Sequence, residues 1–103
     1  MTPHDTIVVH VDADLEPLIP FFLENQRKAL AAMQAALQQH DYETIQSLGH
    51  RMKGSGGGYG FDAVTDIGSA IEEAARIGHH EEIAARLRSL AHYLGRVEVV
   101  YDA

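Results

Sequence analysis

Residues 81–101 read EEIAARLRSLAHYLGRVEVVY, and this stretch decides the fold. Ile83, Leu87, Leu90, Leu94, Val97 and Tyr101 follow one another at gaps of 4, 3, 4, 3 and 4, the alternation that keeps one side of a helix apolar. Glu81 and Glu82 fall where the positive end of the helix dipole favours carboxylates. A seam this regular predicts a helix over about 80–101, packed lengthwise against its neighbours at a shallow crossing angle.

Working back along the chain, the same period recurs three times. Val64, Ile67, Ile71 and Ala74 mark a helix over 62–77, begun at Asp62 and stopped at Gly78, where glycine suits the left-handed position that ends a helix. Asp41 is an N-cap for a helix over 41–58, with Glu43 in its first turn and Tyr42, Ile45, Leu48 or Gly49, and Met52 on its apolar side. The first helix, over 14–39, starts from Asp12 or Asp14, tolerates Pro17 in its opening turn, and carries Ile19, Phe22, Gln26, Leu30, Met33 and Leu37. Pro20 either belongs to that opening turn or kinks the chain between a short helix and the long one. Residues 1–11 form an N-terminal segment in which only Thr6 to Val11 hints at a strand period.

Connections of a few residues cannot return the chain to its starting end, so consecutive helices run antiparallel. The expectation is an all-α fold, an up-down four-helix bundle with an N-terminal helical extension, made of one domain over 1–103. A chain of 103 residues that is 46% apolar supplies one core, not two.

Composition removes several function classes. A net charge of -7 argues against binding nucleic acid through a general basic field. The absence of Cys removes thiol nucleophiles, disulfide frameworks and Cys-ligated metals. With neither a cationic leader before an apolar run nor 18 successive apolar residues, the chain is expected to be cytoplasmic and not in a membrane. His79-His80-Glu81-Glu82 is the best local metal candidate, but adjacent helical residues point about 100° apart and no His-x-x-x-His spacing occurs, so no metal site is expected.

The unusual stretch is Gly54-Ser55-Gly56-Gly57-Gly58-Tyr59-Gly60. If the second helix continues into it, four glycines cost on the order of 3–4 kcal/mol relative to alanine, a large part of the roughly 5–15 kcal/mol that holds a small domain together. Winding the segment at about 100° per residue suggests what the glycines do. Gln46, Lys53, Gly54 and Gly57 fall within roughly 60° of His50, while Leu48 and Met52 point the other way. His50 then stands outward, with bare backbone beyond it and an ammonium one turn away. An imidazole of ordinary pKa, about 6.5, is mostly neutral at pH 7 and offers a lone pair. Lys53 could offset the charge of about -2 on a phosphoryl group. The surroundings agree: the charge is -3 over residues 1–40, 0 over 41–60 and -4 over 61–103, and between Thr44 and Phe61 only Arg51 and Lys53 are charged. The glycines lack both the preceding strand and the Lys-Ser/Thr ending of a P-loop.

Leu48-Gly49-His50-Arg51-Met52-Lys53-Gly54-Ser55-Gly56-Gly57-Gly58-Tyr59-Gly60-Phe61 resembles the signature of histidine-containing phosphotransfer (HPt) domains: a His with Lys at +3, Gly at +4, Ser at +5 and Gly at +10. The resemblance implies a monomeric bundle without turnover of its own. His50 would accept a phosphoryl group from a receiver-domain aspartate and donate it to another, as a phosphorelay intermediate of two-component signalling. It also implies no cofactor on this chain, magnesium belonging to the receiver, and receiver domains of response regulators or hybrid histidine kinases as partners. Lys53 would steady the phosphoryl oxygens, Gln46, Arg51, Gly54 and Gly57 would lie in the docking face, and Leu15, Leu18 and Phe21 or Phe22 would extend it. A Glu or Gln about 22 residues after the histidine hydrogen-bonds the ring in several family members; here that position is Glu72. Arg76, four residues on, would help with phosphate or pair with Glu72. The alternative of another class is a bundle that docks a signalling protein without carrying phosphate.

Overall fold

The computed structural model describes residues 6–103, so residues 1–5 of the expected N-terminal segment lie outside the described residues. The chain forms a strand β1 (Ile7–Asp12), a 3-10 segment (Ala13–Leu18), helices α1 (Ile19–Gln38) and α2 (Tyr42–Gly56), a 3-10 turn (Gly57–Tyr59), helices α3 (Asp62–Arg76) and α4 (His80–Arg96), and a strand β2 (Val97–Asp102). The four helices close a ring in which α2 packs on α1 and α3, and α4 packs on α3 and α1. The expected four-helix bundle is present.

Its core follows the predicted seams. Ile83, Leu87, Leu90 and Leu94 of α4 meet Val64, Ile71 and Ala74 of α3, Ile45 and Met52 of α2, and Ile19, Phe22 and Met33 of α1 in one buried cluster. Phe22 stacks on Phe61 at 5.0 Å between ring centres and tilts onto Tyr59 at 4.7 Å. Asp41 caps α2 as expected, its carboxylate accepting from Thr44 N–H at 3.2 Å and from the Thr44 hydroxyl at 2.7 Å.

Two helix ends show why the links can be short. At the end of α3, Gly78 takes a φ of 69°, and the amides of Gly78 and His79 donate back to Ala75 and Ala74 at 3.1 and 2.9 Å. At the end of α1, His40 does the same with a φ of 56°, its amide and that of Asp41 donating to Leu37 and Ala36 at 3.0 and 2.9 Å. These two turns lie at one end of the bundle, where His40 stacks on His80 and the Tyr42 hydroxyl meets His80 Nδ1 at 2.9 Å.

The other end departs from expectation. The fourth helix does not reach Tyr101: it stops at Arg96, and Val97–Asp102 pairs in parallel with Ile7–Asp12, Ile7 opposite Val97 and Asp12 opposite Asp102. Val97, Val99 and Tyr101 turn inward at period two, and Glu98, Val100 and Asp102 turn outward. Val97 and Tyr101 satisfy both the helical gap of four and the strand alternation, so the seam could not separate the two. Three β-branched residues in a row of six, and a partner strand about ninety positions away, decide for the strand. The N-terminal extension is correspondingly a strand followed by a 3-10 segment. Pro17 lies inside that segment and Pro20 in the opening turn of α1, so no kink divides a longer helix.

Candidate functional site

Residue 50 sits midway along α2 on the side turned from the core. Its neighbour Gly49 is buried, Met52 lies against the core, and the His50 side chain remains 70% exposed. Glu72 reaches it from α3, with Oε2 2.9 Å from His50 Nδ1. An ionised carboxylate only accepts, so the proton of this bond belongs on Nδ1, and the neutral ring keeps its lone pair on Nε2. No hydrogen bond engages Nε2 among the described residues. The second oxygen of the same carboxylate lies 3.6 Å from Lys53 Nζ. One half-buried carboxylate therefore holds the imidazole with one oxygen and attracts the ammonium with the other.

Beside this group is a cavity of about 530 Å³ lined by Glu43, Gln46, Ser47, His50, Arg51 and Glu72. Gln46 and Arg51 are thus beside His50. Glu43 and Ser47 are there too and were not anticipated, although positions seven and three before His50 share its side of a helix and the same angular rule reaches them. Gly54 and Gly57 continue the exposed side. A Cβ on Gly54 would meet nothing within 4 Å, and one on Gly57 only the Thr65 hydroxyl oxygen at 3.6 Å. Internal packing does not require either to be glycine, which leaves their bare backbone for contact from outside. Gly56 differs: its Cβ would lie 2.7 Å from the Thr65 amide nitrogen, so the α2–α3 connection itself excludes a side chain there.

Arg76 is not with them. It pairs with Glu73, its Nε donating to Oε1 at 3.0 Å, rather than with Glu72. That hydrogen bond holds the Glu73 carboxyl below the usual carboxylate range. Both spacings from Arg76 are helical, but Glu72 is turned toward α2, so the outward Glu73 is the free partner.

A second concavity, of about 510 Å³, lies between α1 and α2 and shares Arg51 with the first. Phe21, Ala29, Ala32, Leu48 and Met52 give it an apolar lining, and Gln26, 6% exposed, is the buried polar residue of its wall. Of the apolar residues expected on the docking face, Leu18 and Phe21 are exposed, at 48% and 69%, whereas Phe22 belongs to the core and Leu15 packs partly against it. Among the described residues, Lys28 and Arg51 at this groove carry no ion pair.

The Hpt domain family model matches residues 18–99, from the last residue before α1 to the third residue of β2. The chain belongs to the Hpt domain family. Membership assigns it to phosphotransfer in two-component signalling, in a family of phosphocarrier modules that interact with receiver domains. In this Hpt domain β1 precedes the matched span, so the strand pair joins a segment outside the match to the end of the helical bundle. No curated protein and no solved structure matches the chain. No helix among the described residues is long and apolar enough to cross a membrane.

Proposed function

We propose that this Hpt domain is a phosphorelay intermediate that carries a phosphoryl group on His50 Nε2 between receiver-domain aspartates. The observation that carries this reading is the 2.9 Å contact from His50 Nδ1 to Glu72 on an otherwise exposed ring. It assigns the proton to the nitrogen that does not react and leaves the other free toward solvent.

The Nε2 lone pair attacks the phosphorus of a receiver's aspartyl phosphate in line with the leaving oxygen. The N–P bond forms, the P–O bond to the aspartate breaks, and the carboxylate departs with the electron pair. Nε2 carried no proton, so none need leave, and the positive charge that develops on the ring faces the Glu72 carboxylate. Lys53, now tethered by Glu72, lies one turn from His50 and can turn to the incoming phosphoryl oxygens. Positioning and charge neutralisation are what such a transfer demands. The reverse reaction uses the same atoms, so the carrier needs no second site. We assign the magnesium ion to the receiver's acidic pocket and no cofactor to this chain, which acts as a cytoplasmic monomer.

Phe21 and the groove between α1 and α2 adjoin the histidine through Arg51, and we assign them to the docking of the receiver, together with the exposed Leu18 and with Gln46, Gly54 and Gly57. The test is to incubate the protein and a His50→Gln variant with phosphorylated receiver domains and follow intact mass at neutral or mildly basic pH. Gain of one acid-labile phosphoryl group by the wild type, and none by the variant, is the expected result. Receivers that load control Hpt domains but never this chain would leave it a docking module only.

A further inference from the structure

We propose that Gly49 and Gly68 are positioning residues for the phosphoryl carrier, setting the separation of α2 and α3 at which Glu72 fixes the proton on His50; this rests on the function proposed above. The two glycines face each other where the helices cross. A Cβ on Gly49 would lie 2.9 Å from the amide nitrogen of Glu72, 3.2 Å from its Cα and 3.1 Å from the Gly68 carbonyl oxygen. A Cβ on Gly68 would lie 2.7 Å from the amide nitrogen of Lys53, 3.0 Å from the Gly49 carbonyl oxygen and 3.1 Å from Met52 Cβ. Most of these obstacles are backbone atoms, which cannot rotate aside.

The pairing is reciprocal. Gly49, immediately before His50, rests on the backbone of Glu72, while Gly68, one turn before Glu72, rests on the backbone of Lys53. Each glycine seats a charged residue of the opposite helix, and the His50 and Lys53 side chains then converge on the Glu72 carboxylate. The distances leave little slack. Relieving a 2.7 Å contact to the 3.4 Å of ordinary packing separates the helices by about 0.7 Å, whereas a bond of 2.9 Å is lost after about 0.6 Å, near 3.5 Å. Without the bond, the ring is free to carry its proton on Nε2, the atom that must be unprotonated to attack. A methyl group at either glycine would improve intrinsic helix propensity, so any harm it does comes from the crossing.

The test reads the ring directly. Nitrogen-15 chemical shifts of the His50 imidazole, recorded in the unphosphorylated protein across a pH titration and read on its basic limb, should report the Nδ1–H tautomer in the wild type. In Gly68→Ala that signature should shift toward the Nε2–H form, and loading by a phosphorylated receiver should slow by about tenfold or more; Gly49→Ala, which starts from a 2.9 Å contact and needs less relief, should shift both in the same direction by less. Gly95→Ala, whose Cβ would meet nothing within 4 Å, should change neither. A folded Gly68→Ala with wild-type ring shifts overturns the proposal, whatever happens to its melting temperature. Should neither glycine variant fold, Glu72→Asp decides. One methylene shorter at an unchanged helix separation, it should lose the tautomer signature, and retention would show slack that the proposal denies. A wild-type ring with the expected tautomer that no receiver loads would refute the carrier function while leaving the crossing's effect on the ring intact.

Discussion

Helix α2 is treated differently on its two flanks. Toward α3 it is pressed until glycine meets backbone, and the residues that issue from that contact, His50, Lys53 and Glu72, are joined through one carboxylate. Toward α1 it stands off, leaving a groove of about 510 Å³ with Phe21 exposed at its edge and, among the described residues, no ion pair at Lys28 or Arg51. Close packing fixes geometry to fractions of an ångström, which is what orienting an imidazole requires. An open apolar surface with a charged rim is what an interchangeable protein partner requires. On the function proposed above, one helix serves chemistry on its tight side and recognition on its loose side.

That division can be broken by kinetics that separate binding from transfer. Phe21→Ser removes the most exposed aromatic of the groove and should raise the receiver concentration for half-maximal loading by about thirtyfold, the loss of a hot-spot residue worth about 2 kcal/mol. The rate at saturating receiver should stay at the wild-type value. Lys53→Gln should do the converse, with loading at saturation slowed by about tenfold, or about 1.4 kcal/mol of barrier, and the half-maximal concentration little changed. Stopped-flow loading curves on the two variants check both. If each variant altered both parameters alike, the two flanks would not be separate devices.

How far this division was legible beforehand can be traced residue by residue. The outward placement of His50 followed from helical angles alone, since Leu48 and Met52 had to face inward. The caps at Asp41 and Gly78 followed from local chemistry, because an N-cap carboxylate and a left-handed glycine act within a few residues of themselves. Long-range choices were hidden. Val97 and Tyr101 fit either period, and only pairing with Ile7–Asp12 selects the strand. Gly49 counted as an alternative apolar position, when its value is the absence of a side chain opposite Gly68. Of the four conspicuous glycines of the run, Gly54 and Gly58 lie open, Gly57 is only loosely covered and Gly56 alone is required by packing, whereas Gly49 and Gly68, which the packing also demands, stand alone in helical sequence. Arg76 had acidic residues at both i-3 and i-4, and which one turned outward depended on where α2 lay.

The smallest expected effect lies away from both flanks, at the start of α2. Asp41 accepts from the Thr44 hydroxyl and amide, and these bonds, the hydroxyl first, hold its carboxyl below the ordinary range. A carboxyl whose pKa is lower in the folded than in the unfolded chain stabilises fully above the unfolded value, about 3.9 for aspartate, and loses that contribution as pH falls through the folded value. Asp41→Asn keeps an acceptor for the Thr44 amide but no charge. Thermal unfolding should show wild type above the variant near pH 6, with the difference closing at pH values below the unfolded aspartate value of about 3.9. The variant's loading rate and receiver affinity at pH 7 should match the wild type. A difference in melting temperature that is constant across that range would mean the charge on Asp41 does nothing for α2. A change in loading would mean that the helix start, and not only its two flanks, sets the site. The cap fixes where α2 begins, but His50 lies more than two turns further on, where α3 and not the cap holds the backbone.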